Sequence, residues 1–259
     1  MKTLVTMGRG GTGKTSFVAL QTKYFLEQND APLLLVDLDP DQNLAEMVGI
    51  DLEKEGVKTI AELVTETFIK KGGTMTGIAP KERIESQVLK EGLYEGSHFD
   101  LIAVGTKWIE GCYCMPDAAL KGALESLAKN YRYILVDSPA GLEHLNRKVT
   151  AQVTDIFDVM GPSHKSLLHV QRADRISREV GITFDRFFII GGCLFPLGLE
   201  KKAQEETGQQ YLGKIVFDPL VQESVIAGRS LLDIPDSSPA YRSVCILMDN
   251  AGYRKVGSG

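Results

Sequence analysis

Near-continuous apolar runs punctuate the chain at residues 4–7, 33–36, 101–104, 133–136, 156–160, 187–190 and 214–217. Runs of this length without polar/apolar alternation predict strands covered on both faces. Between them, residues 16–28, 118–129, 165–180 and 222–227 carry helical patterns. Strands alternating with helices predict an α/β fold. The expected architecture is a mostly parallel sheet of about seven strands, flanked by helices on both faces and joined by right-handed crossovers. Residues 51–98 depart from the pattern, being charged and rich in lysine and glutamate around Gly72-Gly73. They predict helices and a mobile loop covering one end of the sheet. The 259 residues fit one domain spanning 1–259.

Composition narrows the function classes. Hydrophobic residues make up 43% and charged residues 24%, enough apolar matter for a real core. The formal net charge of −5 argues against broad binding to nucleic acid or an anionic membrane, so neither is expected as a partner. No apolar run approaches the ~20 residues of a membrane span. The opening apolar stretch meets a glycine-rich loop too early for a signal peptide. Cys112, Cys114, Cys193 and Cys245 are too few for a disulfide scaffold; they read as reduced thiols and predict a soluble, cytoplasmic protein.

The glycine-rich loop carries the strongest chemistry. Gly8-Arg9-Gly10-Gly11-Thr12-Gly13-Lys14-Thr15 follows a predicted strand and opens a predicted helix at Ser16. Glycines let such a loop curl until its backbone N–H groups face phosphate oxygens. Lys14 is placed to reach the β- and γ-phosphates of a nucleoside triphosphate, and Thr15 to offer its hydroxyl to magnesium. Downstream, Asp37-Leu38-Asp39-Pro40 sets two carboxylates at a strand's carboxyl end, where ligands of such sheets sit. An acid there orients or deprotonates the attacking water, or holds magnesium through water. Asp39 is the expected catalytic acid, with Asp37 as its second. A further strand ends in Asp137, the expected magnesium-side acid, and Gly141 puts an N–H where it senses the γ-phosphate. Either aspartate alone also fits a solvated strand end; the loop beside them favours function.

Cys112-Tyr113-Cys114 turns two sulfurs to one side of an extended segment. Two thiolates do not fill a four-ligand shell, and a second pair from a two-fold related subunit would complete it. Spacing alone fits two ordinary cysteines as well. Cys193 and Cys245, in apolar surroundings, are expected in the core. His98, His144, His164 and His169 show no metal spacing and are expected in structural or surface roles.

A phosphate loop with a basic second residue, followed by Asp-x-Asp-Pro, resembles the MinD/ParA-type ATPases. With Cys112-Tyr113-Cys114 and Asp137-Ser138-Pro139-Ala140-Gly141-Leu142-Glu143-His144-Leu145 added, the chain is similar to the CooC-type nickel-insertion ATPases of that family over most of its length. The resemblance implies an ATP-hydrolysing homodimer that binds Ni2+ or Zn2+ between subunits and serves a client nickel–iron–sulfur enzyme of the carbon monoxide dehydrogenase type. A sister branch that matures acetyl-CoA synthase, and partitioning regulators of the ParA/MinD kind, share most of these motifs. It further implies that the second loop residue reaches the partner's phosphates. That residue is Arg9 here where the family has lysine, which keeps the charge and adds a bidentate fork; a solvent-facing arginine at the rim is the alternative. Base contacts are implied for Phe217 and Pro219. Gly191-Gly192 stands where relatives carry Asn-Lys for the base, which leaves adenine selectivity open.

Overall fold

The computed structural model describes residues 1–67, 80–106, 114–142 and 152–254, without the side chains of 80–83 and 114–117. One sheet contains β1 (Lys2–Gly8), β2 (Leu33–Asp37), β3 (Tyr94–Glu95), β4 (Phe99–Ala103), β5 (Tyr133–Asp137), β6 (Gln152–Met160), β7 (Thr183–Gly191) and β8 (Gln210–Lys214). Their order is β3-β4-β2-β5-β1-β6-β7-β8. Every pairing is parallel except β3 with β4. The expected count of about seven missed β3, because a two-residue edge pairing carries no apolar run to announce it.

Helices α1 (Lys14–Glu27), α2 (Asn43–Met47), α3 (Ile60–Thr65), α4 (Pro80–Glu91), α5 (Cys114–Leu127), α6 (His164–Glu179), α7 (Glu200–Thr207), α8 (Pro219–Ile226) and α9 (Pro239–Asn250) fill the connections. The pleat of the sheet divides the core in two. Leu4, Leu33, Leu35, Phe157 and Phe188 face α1 and α9, meeting Phe17, Phe25, Tyr241 and Leu247. Val5, Leu34, Val36, Val136 and Ile156 turn the other way, toward Ile60, Ile84, Leu120 and Val170 of α3, α4, α5 and α6. Both sheet faces are covered, which explains the unbroken apolar strands.

The helices expected within 51–98 are present as α3 and α4, and one other expectation needs correction. Part of the charged stretch 51–98 lies within the second layer, since Ile60, Leu63, Ile84 and Val88 are buried in the same cluster as Ile102 and Leu124. A capping box of Thr59 and Glu62 starts α3 there; residues 68–79 lie outside the described residues. The strand expected over 214–217 instead ends at Lys214. The Ile215 N–H still donates to the Gly191 carbonyl at 2.8 Å, and beyond it the chain leaves the sheet, with Ile215, Val216 and Phe217 lining a cavity beside α1. No helix among the described residues is long and apolar enough to cross a membrane.

Bare backbone seats the phosphate loop on the strand ends. A Cβ at Gly8, whose φ is +141°, would lie 2.5 Å from the Val159 carbonyl oxygen of β6. A Cβ at Gly192, just past β7, would lie 2.5 Å from the Thr12 carbonyl oxygen and 3.0 Å from that of Met160. The N–H of Gly192 donates to Met160, at 2.8 Å. Glycine at 192 is therefore set by the closeness of the loop, and a side chain there displaces it. Gly192→Ala is expected to lower stability by about 1–3 kcal/mol through overpacking and to weaken nucleotide binding. Urea unfolding with and without a non-hydrolysable ATP analogue checks both effects, and parent-like behaviour in each would refute the contact.

Candidate functional site

The loop between β1 and α1 needs φ values that glycine adopts at least cost: Gly11 lies at +73° and Gly13, the α1 N-cap, at +93°. No acidic residue stands in the first turn of α1. Its leading N–H groups and the positive end of its dipole therefore meet the loop unopposed, which suits an anion. Lys14 is buried, and its Nζ donates to the Arg9 carbonyl at 3.3 Å. The Thr12 hydroxyl donates to the same oxygen at 2.9 Å. Arg9 is half-buried and Gly10 exposed, with Ala140 close against Gly10. The turn carrying Gly141, at φ +97°, thus borders the phosphate loop.

Three buried acids lie on the strands around this loop, with Asp37 and Asp137 as the last residues of β2 and β5. Asp37 and Asp137 are lateral neighbours in the β2–β5 register, and Thr6 pairs with Asp137 across β1–β5. Asp37 is fully buried; one carboxylate oxygen accepts from the Asp39 N–H at 2.9 Å, the other from the Leu44 N–H at 3.0 Å. It anchors the turn that presents Asp39, whose carboxylate is half-buried and accepts from the Asp41 N–H at 3.1 Å. Desolvation, with the charge of Asp137 adding to it, pushes the Asp37 carboxyl up to about 8. Asp137 is pushed up to about 7, again by burial, with Thr15 and Lys14 pulling it down. Neither oxygen of Asp137 makes a well-aligned hydrogen bond among the described residues, although the Thr15 hydroxyl is near. An orphaned buried carboxylate beside a threonine hydroxyl fits a magnesium ion arriving with a nucleotide.

The third acid, Asp158, was not singled out from the sequence. It lies next to Met7 in the β1–β6 register and is buried. The signal available was a carboxylate in the middle of an otherwise apolar, doubly covered run. His169, expected in a structural or surface role, is buried on α6 with Nε2 3.5 Å from an Asp158 oxygen.

Beside the loop opens a cavity of about 400 Å³ lined by Thr12, Gly13, Ser16, Phe17, Phe217 and Val225 among others. Ser16 and Phe217 thus sit where a base and sugar would extend from phosphates on the loop. Pro219 instead serves as the first residue of α8, behind the N-cap Asp218 that accepts from the Leu220 N–H at 2.9 Å. Cys193 also lines the cavity and Cys245 flanks the α1–α9 core, each partly buried. Cys112, Glu143 and His144 lie outside the described residues, and Cys114 begins α5 with its side chain undescribed. Among the described residues no group of three or more His, Cys, Asp or Glu side chains is arranged to hold a metal ion.

Comparison with known proteins points the same way. Residues 2–159 match the family described as an AAA domain. The chain is 27% identical over 245 residues to an uncharacterized ATP-binding protein of Methanocaldococcus jannaschii, covering 93% of this chain and 94% of that one. It is 26% identical over 264 residues to the carbon monoxide dehydrogenase accessory protein CooC of Rhodospirillum rubrum, covering 99% and 98%. The solved structure of a ParA family ATPase from Chlorobium tepidum superposes with a TM-score of 0.71 at 18% identity, covering 95% and 98%, a likeness of fold.

The raised acids give the nucleotide-free protein a pH signature. Above the ordinary value of 3.8 the unfolded chain ionises, whereas the folded chain keeps protons on Asp137 to about 7 and on Asp37 to about 8. Their contribution to stability is therefore full on the acid side of that window and is lost as pH rises through it. Asp137→Asn should flatten the fall between pH 5 and pH 7. Urea midpoints at pH 5, 6 and 7 read this directly; a variant that declines as steeply as the parent would remove Asp137 as the cause.

Proposed function

This chain belongs to the AAA-domain family as a MinD/ParA-like P-loop ATPase, and from that premise we propose that it couples ATP hydrolysis to the delivery of nickel to a nickel–iron–sulfur enzyme of the carbon monoxide dehydrogenase type. The observation that carries the reading is the similarity to CooC across 99% of this chain, Cys112 and Cys114 included in its span.

In the proposed reaction Gly8 to Thr15 hold the ATP phosphates, with Lys14 on the β- and γ-oxygens. Thr15 and Asp137 would hold magnesium, which would supply charge neutralisation to the phosphates. Asp39 orients the attacking water and withdraws its proton; Asp37 keeps the Asp39 turn in place and would serve magnesium's outer shell. Arg9 reaches the phosphates of a second subunit, where a guanidinium adds stabilisation only when two copies close face to face. The Gly141 N–H senses the γ-phosphate and so its loss on hydrolysis. What supports coupling to a metal is connectivity. The Thr106 hydroxyl donates to the Pro40 carbonyl at 2.7 Å, and the chain then runs from 106 through Cys112 into α5. A shift in the Asp39-Pro40 turn is thereby one bond from the segment that bears both thiols. A partitioning role of the ParA kind has the likeness of fold in its favour; the net charge of −5 weighs against the basic surface that such a role uses.

Lys14→Ala should abolish ATP binding, and Asp39→Ala should bind ATP but lose most hydrolysis, on the order of 10²-fold or more for a positioned general base. A phosphate-release assay beside a binding titration separates the two; parent-rate turnover by Asp39→Ala would overturn the choice of acid. Arg9→Ala with unchanged turnover and unchanged dimerisation would end the role across subunits.

Metal is expected at one nickel or zinc ion per two chains, held by Cys112 and Cys114 of both subunits, since a soft tetrahedral shell takes four ligands. Cys112→Ser should lose the ion and the metal-induced dimer while keeping its circular dichroism. Metal analysis on a sized dimer decides it: one tight ion per chain that survives Cys112→Ser would sink the shared site.

A further inference from the structure

We infer that Asp158 and His169 form a proton-holding pair beneath the phosphate loop, which positions Lys14 by taking up a proton when a polyphosphate occupies the loop. The geometry is specific. Asp158 lies on β6 one residue before Val159, whose carbonyl packs on Gly8 of the loop. His169 projects from α6 over the same sheet face, and the strand flanks of Asp158 are Met7 of β1 and Ile189 of β7, neither of which titrates. Both side chains are buried, and neither the Asp158 oxygen nor the facing His169 Nε2 has a hydrogen-bond partner among the described residues. They stand 3.5 Å apart without an aligned bond. In the proposed pair the imidazole carries its hydrogen on Nδ1, so that Nε2 and the Asp158 oxygen are two buried acceptors face to face, which is costly, and one proton placed between them removes the cost on both sides.

The surrounding charges decide when that proton arrives. Lys14 faces Asp158, while Arg9 and Lys14 from the loop and Arg172 from α6 act on His169. Burial lifts the Asp158 carboxyl to about 7 against the pull of Lys14. Burial, then Arg9, Lys14 and Arg172, hold the imidazole down to about 4, so His169 is neutral at pH 7 and, as the Nδ1–H tautomer of the proposed pair, offers Nε2 as acceptor. When phosphates engage Lys14 and Arg9, the cations no longer favour the Asp158 anion, and the added negative charge disfavours it further. The carboxylate then takes a proton from solvent and its new O–H donates to His169 Nε2. Lys14 is released from competition with a buried anion and is directed wholly at the phosphates. Asp158 is thus a positioning residue, and nucleotide affinity is linked to pH through it.

The inference rests on nucleotide binding at the loop and is tested separately from it. Titration calorimetry at pH 7 with magnesium and β,γ-imido-ATP, in two buffers of unlike ionisation enthalpy, counts the protons exchanged. Because Asp158 titrates near 7, the parent should take up about half a proton more than Asp158→Asn; protons exchanged at Asp37, Asp137 and the nucleotide cancel in that difference. His169→Phe, which removes the acceptor, should shrink the uptake in the same direction. In the parent itself, the nitrogen resonance of His169 Nε2 should move from a free to a hydrogen-bonded acceptor on adding the analogue, a readout that a purely structural pair would not move and that needs no variant to fold. Equal proton counts in parent and Asp158→Asn, or a His169 resonance indifferent to nucleotide, would overturn the proton pair. Absence of any binding heat in the parent would instead overturn the nucleotide reading beneath it.

Discussion

Backbone packed directly on backbone, with no side chain between, seats the phosphate loop on the ends of β6 and β7. At Gly8 the strand carbonyl of Val159 occupies the space that a Cβ would need, and at Gly192 the loop carbonyl of Thr12 does the same. Contacts this close transmit displacement rather than absorb it, because neither partner has a rotamer to change. The position of Lys14, the opening of α1 and the reach of Arg9 all inherit their coordinates from these two touches. Glycine at 192 is set by that constraint, since a side chain there would meet the loop before it met a ligand.

Around that seat the sheet gathers acids that water would normally keep ionised. Asp37, Asp137 and Asp158 come from adjacent or next-adjacent strands, and burial raises all three. Their burial is destabilising on its own account. It becomes useful when cations and a polyphosphate share the space, since charges in a water-poor site interact far more strongly than at a surface. Each acid carries a different task by virtue of its bonds. Asp37 is spent on two backbone N–H groups, Asp137 keeps both oxygens open toward Thr15, and Asp158 faces an imidazole.

The hydrogen bond from Thr106 to Pro40 ties the Asp39-Pro40 turn to the chain just beyond β4, at the carboxyl end of the sheet. In a parallel sheet that end collects loops from every strand, which is why the phosphate loop, the Asp39 turn and the turn carrying Gly141 come to one edge from distant parts of the chain.

How much of this the chain announces depends on how local the cause is. The unbroken apolar strands, the loop from Gly8 to Thr15 and the strand-end acids Asp37 and Asp137 were legible because each arises from a run of neighbouring residues: burial on both faces needs continuous apolarity, and a phosphate cradle needs glycines at set spacing. β3 was not legible, because a two-residue edge strand exists only through its partners Leu101 and Asp100. The strand expected at 214–217 failed because apolar residues can line a cavity as readily as a sheet. Asp158 and His169 sit eleven positions apart on a strand and the helix after it, and only their packing together makes them a pair. By itself the sequence determined the fold class, the phosphate loop and the residue types available for hydrolysis. Tertiary structure alone decided which acids lose their water, which carboxylate is spent on holding a turn, and which buried groups face each other, since desolvation and approach distance are set by parts of the chain that no local pattern connects.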